Sequence, residues 1–169
     1  MVVAEQKKEE LKLEASDDKD AKARSAAEQA RKTLTDAYNA GKDAIAAGKF
    51  DDAVVSLTKA AALDPKQGAV WSSLADAYMA IARGQKTADS AATYQKAYDA
   101  FAKAIELAPN NAGIYNNFAL ALAASGKMDE AKQNLEKAIE IDPAGAGKYQ
   151  YNLDYAQESP FRALASLGW

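Results

Sequence analysis

Residues 112–143 read AGIYNNFALALAASGKMDEAKQNLEKAIEIDP and contain the pattern that decides the fold. Small residues recur at Ala119, Ala131 and Ala138, and larger apolar residues lie between them. A proline, Pro143, closes the segment. Small residues let two helix backbones approach closely, and a proline cannot continue a helix. The segment therefore predicts two short helices that pack against each other and are joined near a central glycine.

The pattern occurs twice more upstream, so the chain contains an internal repeat. Its closing prolines are Pro65, Pro109 and Pro143, of which the first two lie 44 residues apart and the last two 34 apart. One helical hairpin cannot bury its apolar face alone, whereas stacked copies bury it against one another. The repeat predicts six helices in three stacked hairpins, with the extra residues of the second copy near 83–93.

The three copies resemble tetratricopeptide repeats, helix-turn-helix units with a period of 34 residues. The matching residues are Ala37, Ala40, Gly41, Ala44, Ala53, Leu57, Ala60 and Pro65 in the first copy, Trp71, Leu74, Ala75, Tyr78, Ala97, Phe101, Ala104 and Pro109 in the second, and Tyr115, Phe118, Ala119, Leu122, Ala131, Leu135, Ala138 and Pro143 in the third. The resemblance implies an all-α, right-handed α-solenoid with a concave groove. In this family the first helix of each hairpin lines that groove, where peptides or partner helices lie.

The resemblance also divides the chain into segments. These are a charged helical N-terminal extension at 1–33, three repeat units at 34–67, 68–111 and 112–145, and C-terminal capping helices with a degenerate fourth repeat at 146–169. The turn-favouring residues 16–18 predict a break, so a long helix is expected from about Lys19 to Ala47. Past the third unit, a helix is expected over residues 148–157. Residues 160–169 are expected to cap the open end or to dock on a neighbouring molecule.

Helix ends are predicted from the residues that favour them. Gly48, Gly84 and Gly126 are expected to end the first helices, because glycine tolerates the left-handed conformation found there. Asp51 and Asp129 are expected at the start of the second helices, where they can accept backbone N–H groups and meet the positive end of the helix dipole.

Composition excludes several classes of function. The chain has no cysteine and no histidine, which removes thiolates and the commonest general base and metal ligand. No nucleophile with a partnered base, phosphate-binding glycine loop or metal-ligand cluster is found, so no enzyme activity, cofactor or metal is expected. A net charge of −3 without a basic stripe argues against nucleic acid. No apolar run approaches the roughly 18 residues of a membrane helix, so a cytoplasmic protein is expected, with export of a longer precursor left open.

The resemblance places a set of partner-binding residues in the groove by register. They are Tyr38, Asn39, Lys42, Ser73, Asp76, Met79, Asn116, Asn117, Leu120, Tyr151 and Asn152. Asn39, Asn117 and Asn152 share one helical position, which resembles the asparagine ladder of the tetratricopeptide superhelix in the O-linked N-acetylglucosamine transferase. There the amides hold a peptide backbone, because an amide both donates and accepts. The alternative is surface amides with local contacts.

Two functions remain open at this point. The first is a non-enzymatic scaffold that binds a peptide or a partner helix in the groove. Acidic C-termini are not expected as ligands, because most positions of the family's chaperone-binding clamp are not matched. The second is a structural self-assembly module, a homo-oligomer held through its terminal helices with the repeats as spacer.

Overall fold

A computed structural model of the protein describes residues 2–85, 89–152 and 154. Within these residues there are six α-helices and no strand. They are α1 (Val2–Ala46), α2 (Phe50–Leu63), α3 (Gly68–Gly84), α4 (Asp89–Leu107), α5 (Ala112–Ala124) and α6 (Met128–Ile141). A 3-10 turn, Pro143–Gly145, leads into a further helical stretch at residues 146–152. The predicted all-α class is confirmed.

The helices form three hairpins that stack in chain order. Each hairpin pairs one helix with the next: α1 with α2, α3 with α4, and α5 with α6. Across the stack α1 also contacts α3, and α3 contacts α5. In the described part of the chain, no Cα atom of α4 lies within 8 Å of a Cα atom of α2 or α6. The stack is therefore tighter on the side of α1, α3 and α5, which we call the inner face. This arrangement is the predicted solenoid.

Alanines and one glycine form the closest contacts in the stack. The alanines with no exposed surface are Ala53, Ala60, Ala75, Ala77, Ala97, Ala104, Ala119, Ala131 and Ala138. Gly41 approaches α2 so closely that a Cβ built on it would lie 2.5 Å from Cγ of Leu57. Larger side chains fill the space between hairpins; the rings of Phe101 and Phe118, for example, stack with centroids 5.2 Å apart. Small and large residues thus alternate as close packing requires.

The first helix is longer than predicted. α1 runs unbroken over 45 residues, so the predicted break at residues 16–18 and the start near Lys19 are wrong. Serine and aspartate cost less than about 0.7 kcal/mol each inside a helix, and the flanking Lys, Glu, Ala and Leu are strong helix formers. Neither α1 nor any other helix in the described residues is both long and apolar enough to cross a membrane.

The predicted helix ends near Gly48, Gly84 and Gly126 are confirmed, and two of these glycines adopt the left-handed conformation. Gly48 and Gly126 have φ of +70° and +85°, the left-handed conformation expected after a helix. Gly84 does not adopt it: this glycine is the last residue of α3, and an extended Gln85 follows.

Asp51 and Asp129 lie at the start of the second helices as predicted, but the predicted capping hydrogen bonds are wrong. α2 and α6 begin after Lys49 and Lys127, and neither of these N-cap side chains makes a capping hydrogen bond. Asp51 and Asp129 lie inside the first turn instead. There their charge faces the positive end of the helix dipole without accepting an orphan N–H group.

After the third hairpin the chain folds back onto the core. The carboxylate of Asp142 accepts a hydrogen bond from the backbone N–H of Gly145 and another from the hydroxyl of Tyr149, each over 3.0 Å. Tyr149 is buried against the third hairpin. The helical stretch begins at residue 146, two residues before the prediction. Its predicted end near residue 157 and the segment 160–169 lie outside the described residues.

We expect Gly41→Ala to lower the free energy of unfolding by about 1 kcal/mol. The new Cβ would meet Leu57, which is fully buried, and overpacking of this kind costs about 1–3 kcal/mol against a helix-propensity gain of about 1. Urea unfolding followed by circular dichroism measures the change. Gly84→Ala is the control, because nothing lies within 4 Å of its added Cβ, and it should be neutral or stabilising. A Gly41→Ala protein as stable as Gly84→Ala would contradict the close contact.

Candidate functional site

Four polar side chains form a connected row on the inner face, which we call the polar row. Asn152 donates from Nδ2 to Oδ1 of Asn116 over 2.6 Å. Asn116 donates in turn to Oδ1 of Asn117, over 3.3 Å. Asn117 donates from Nδ2 to Oδ2 of Asp76, also over 3.3 Å. The row therefore joins α3, α5 and the helical stretch at 146–152.

The orientation of α5 explains why one helix supplies two members of the row. Its start is fixed by Asn111, whose side chain accepts a hydrogen bond from the backbone N–H of Gly113 over 3.0 Å. Consecutive helical residues point about 100° apart. Asn117 consequently points toward α3, while Asn116 points toward the next helical stretch and is 97% buried, with 3% of its surface exposed.

The row leaves hydrogen-bonding capacity unused. A side-chain amide carries two N–H groups and an oxygen with two lone pairs. Within the row, Asn117 uses one N–H and one lone pair, and Asn152 uses one N–H. Both are only partly buried, so the remaining groups are available to a molecule on the inner face.

The carboxylate of Asp76 is partly desolvated. Burial raises the pKa of this carboxyl from 3.8 to about 6, although the hydrogen bond from Asn117 and the positive charge of Arg83 both lower it. The ion pairs formed within the described residues do not include Asp76. A carboxylate removed from water without a close cation is costly, so the site favours a compensating positive group.

A pocket of about 220 Å³ opens beside Asp76. Its lining residues are Asp76, Met79, Ala80 and Arg83 from α3, and Asn117, Leu120 and Ala121 from α5. The walls are mainly aliphatic, and the polar groups are an amide, one carboxylate and one guanidinium. Within the described residues no group of three acidic side chains lies close enough together to hold a metal ion.

Six of the predicted groove residues meet at this place. They are Asp76, Met79, Asn116, Asn117, Leu120 and Asn152. Met79 is 4% exposed and belongs mainly to the core, so only its edge lines the pocket.

The other five predicted residues are not part of the polar row. Lys42 lies over the ring of Tyr38 on α1, with Nζ 5.8 Å from the centroid. Asn39 is exposed, Ser73 is half-buried and Tyr151 is 71% exposed. The row thus departs from the predicted ladder: Asn116 lies between Asn117 and Asn152, and the row ends at Asp76 on α3 without including Asn39.

Arg83 was not among the predicted groove residues. The repeat pattern assigns residues 83–93 to an insertion. Arg83 therefore has no equivalent position in the family pattern. A signal was nevertheless available, because Arg83 lies seven residues after Asp76 and such spacing returns a helix to the same face.

A larger pocket of about 600 Å³ lies between α2, α3 and α4. Its walls include Leu74, Trp71 and Tyr78, which pack against the buried core. The indole Nε1 of Trp71 donates to the backbone oxygen of Pro65 over 2.9 Å and is therefore already engaged. We regard this pocket as a crevice between packed hairpins, since the groups that line it hold the first two hairpins together.

Comparison with known families agrees with the fold. Models of the tetratricopeptide repeat match residues 44–86 and 112–144. The first match covers α2 and α3, which belong to adjacent hairpins, and the second covers the third hairpin. The chain therefore contains tetratricopeptide repeats in these two segments.

Solved structures that share this architecture include the following three. The first tetratricopeptide domain of Spaghetti (RPAP3), bound to the HSP90 peptide SRMEEVD, is 20% identical, with a TM-score of 0.63 over 76% of this chain and 93% of that one. A thermophilic tetratricopeptide protein of Thermus thermophilus is 18% identical, with a TM-score of 0.67 over 73% and 63%. The Yersinia enterocolitica secretion chaperone SycD, in complex with a YopD peptide, is 17% identical, with a TM-score of 0.62 over 76% and 95%.

We expect Asp76→Asn to stabilise the protein at pH 7.5 more than at pH 4. Because folding raises the pKa from 3.8 to about 6, the folded state holds the proton more tightly, and the stability contributed by Asp76 falls as the pH rises from about 4 to 6. The loss is at most about 3 kcal/mol, at about 1.4 kcal/mol per pKa unit. Asparagine carries no charge and removes this dependence.

Urea unfolding of both proteins at several pH values between 4 and 8 measures this effect. Asp43→Asn, at an exposed site on α1, is the control for removing one negative charge. A stability gap between Asp76→Asn and wild type that does not widen between pH 4 and pH 7 would contradict the desolvated state of Asp76.

Proposed function

We propose that this chain is a non-enzymatic protein-interaction module that holds an extended peptide or a partner helix against its inner face. The observation that carries the proposal is the polar row. Its half-buried amides keep donors and acceptors that can pair with a peptide main chain whatever the side-chain sequence. The aliphatic wall of the adjacent pocket supplies apolar contact for a ligand side chain.

The internal bonds of the row also favour binding by lowering its entropic cost. Asn117 and Asn152 are already held by hydrogen bonds to neighbouring helices, so little rotamer freedom remains to be lost when a ligand arrives. Preorganised receptors bind more tightly for this reason.

Relatives of the same fold support the class of partner. The Spaghetti domain is bound to an HSP90 peptide, and SycD is in complex with a peptide of the translocator YopD. These two peptides are ligands of the Spaghetti domain and of SycD. At identities of 20% and 17% they support peptide binding as a use of this scaffold, and the choice of ligand depends on the residues of this chain.

We expect Asn117→Ala and Asn152→Ala each to weaken peptide binding about three- to tenfold, since a typical hydrogen bond contributes about 0.5–1.5 kcal/mol. The probe is an array of random 12-residue peptides. Peptides that bind the full chain are resynthesised and titrated by fluorescence anisotropy. Asn134→Ala is the control, because this amide lies on α6 and donates to the backbone oxygen of Glu130. Loss of binding in the control, or unchanged affinity in both groove variants, would contradict the proposed site.

The exposed part of α1 favours a second function, self-assembly. Residues 18–32 are all exposed, so this stretch of a long helix has no partner within the described residues. A second copy of the chain could cover it through the alanine positions Ala23, Ala27 and Ala30.

Light scattering across a concentration range separates the two functions. A module that only binds peptides has the mass of one chain, 18.0 kDa. For self-assembly we expect a mass of at least two chains, which the triple change of Ala23, Ala27 and Ala30 to Lys returns to one chain while the helical circular dichroism signal persists. A monomeric wild type at all concentrations would contradict self-assembly.

A further inference from the structure

We propose that the pocket beside Asp76 selects a lysine or arginine side chain of the bound peptide. This inference rests on the proposed function, peptide binding at the inner face, and adds the chemical class of residue that the site recognises. The cationic head would pair with the Asp76 carboxylate, and the methylene stem would lie along the aliphatic wall.

The first argument is the charge balance at Asp76. From the described residues its carboxylate accepts one hydrogen bond, from Asn117, at the long distance of 3.3 Å. The α5 residues that line the pocket carry no charge, and Arg83 on α3 makes no ion pair with Asp76 within 4 Å. On α1, Lys42 is exposed and lies over the ring of Tyr38. A half-buried carboxylate in this position gains most from a cation delivered by a ligand.

The second argument is the shape and surface of the pocket. Met79, Ala80 and Leu120 give it aliphatic sides, while the carboxylate lies among them. Lysine and arginine combine an apolar stem with a charged head, so their stems are covered while the head reaches a polar group. A shorter acidic side chain would bring a second negative charge toward Asp76 and would leave the aliphatic wall uncovered.

Because of Arg83, an acidic ligand is the main alternative to a cationic one. Its guanidinium also lines the pocket, so an acidic ligand could pair with it. Arg83 is exposed, however, and its charge is screened by water, whereas Asp76 is half-buried and its charge is screened less. The less solvated group gains more from a partner, which favours the cationic ligand.

The test uses the full chain and pools of 10-residue peptides. In each pool one central position is fixed as Lys, Arg, norleucine or Glu, and the other positions are equimolar mixtures; norleucine keeps the lysine stem without its charge. We expect the Lys and Arg pools to bind wild type at pH 7.5 about tenfold more tightly than the norleucine pool, as a charge-assisted hydrogen bond allows. Asp76→Asn should abolish this advantage. Arg83→Gln should preserve or increase it.

The control and the pH dependence separate this pocket from the overall negative charge of the chain. Asp43→Asn removes the same charge from an exposed site on α1 and should keep the advantage of the Lys pool. Lowering the pH from 7.5 to 5 should reduce that advantage in wild type, because the pKa of Asp76 is about 6, and should leave Asp76→Asn unchanged.

Three outcomes would overturn the inference. Equal binding of the Lys and norleucine pools by wild type would show that peptides bind without a cation site, and the proposed function would stand. A preference for the Glu pool that Arg83→Gln removes would assign the pocket to acidic ligands. Absence of binding by every pool would overturn peptide binding itself, and with it this inference.

Discussion

The close approach of paired helices at small residues is the constraint on which the rest of the structure depends. Gly41 has so little space against Leu57 that a methyl group would overlap it, and alanines without exposed surface hold the other contacts. Side chains of this size set the helix separation in each hairpin and so determine where the larger residues can pack. The first helices also contact one another, and together they form the inner face.

The contact between first helices produces the geometry of the candidate site. Asp76 and Asn117 are 41 residues apart in sequence, and they meet because α3 and α5 are adjacent on the inner face. The same proximity removes water from Asp76 and raises its pKa, since the neighbouring helix covers much of the carboxylate. The polar row is therefore a consequence of tight packing, and it places hydrogen-bonding groups where a ligand can reach them.

Local sequence signals succeeded where a single residue decides the conformation. Gly48 and Gly126 adopt positive φ because glycine lacks a Cβ. Local signals failed where the outcome depends on the summed weak helix preferences of many residues. The break predicted at residues 16–18 does not occur, because a few poor helix formers cannot interrupt a long run of good ones. Asp51 and Asp129 are used in the first turn rather than as caps.

The sequence by itself determined the repeat, the six helices and the family, because spacing of small residues and prolines is a property of the chain. It also identified Asn117, Asn152 and Asp76 as residues of one surface through their register. Only the tertiary structure decided that Asn116 bridges two of these residues, that Asp76 is desolvated and that Arg83 lines the same pocket. Hydrogen-bond partners and solvation depend on which side chains from other helices fill the surrounding space, and no spacing along one helix contains that information.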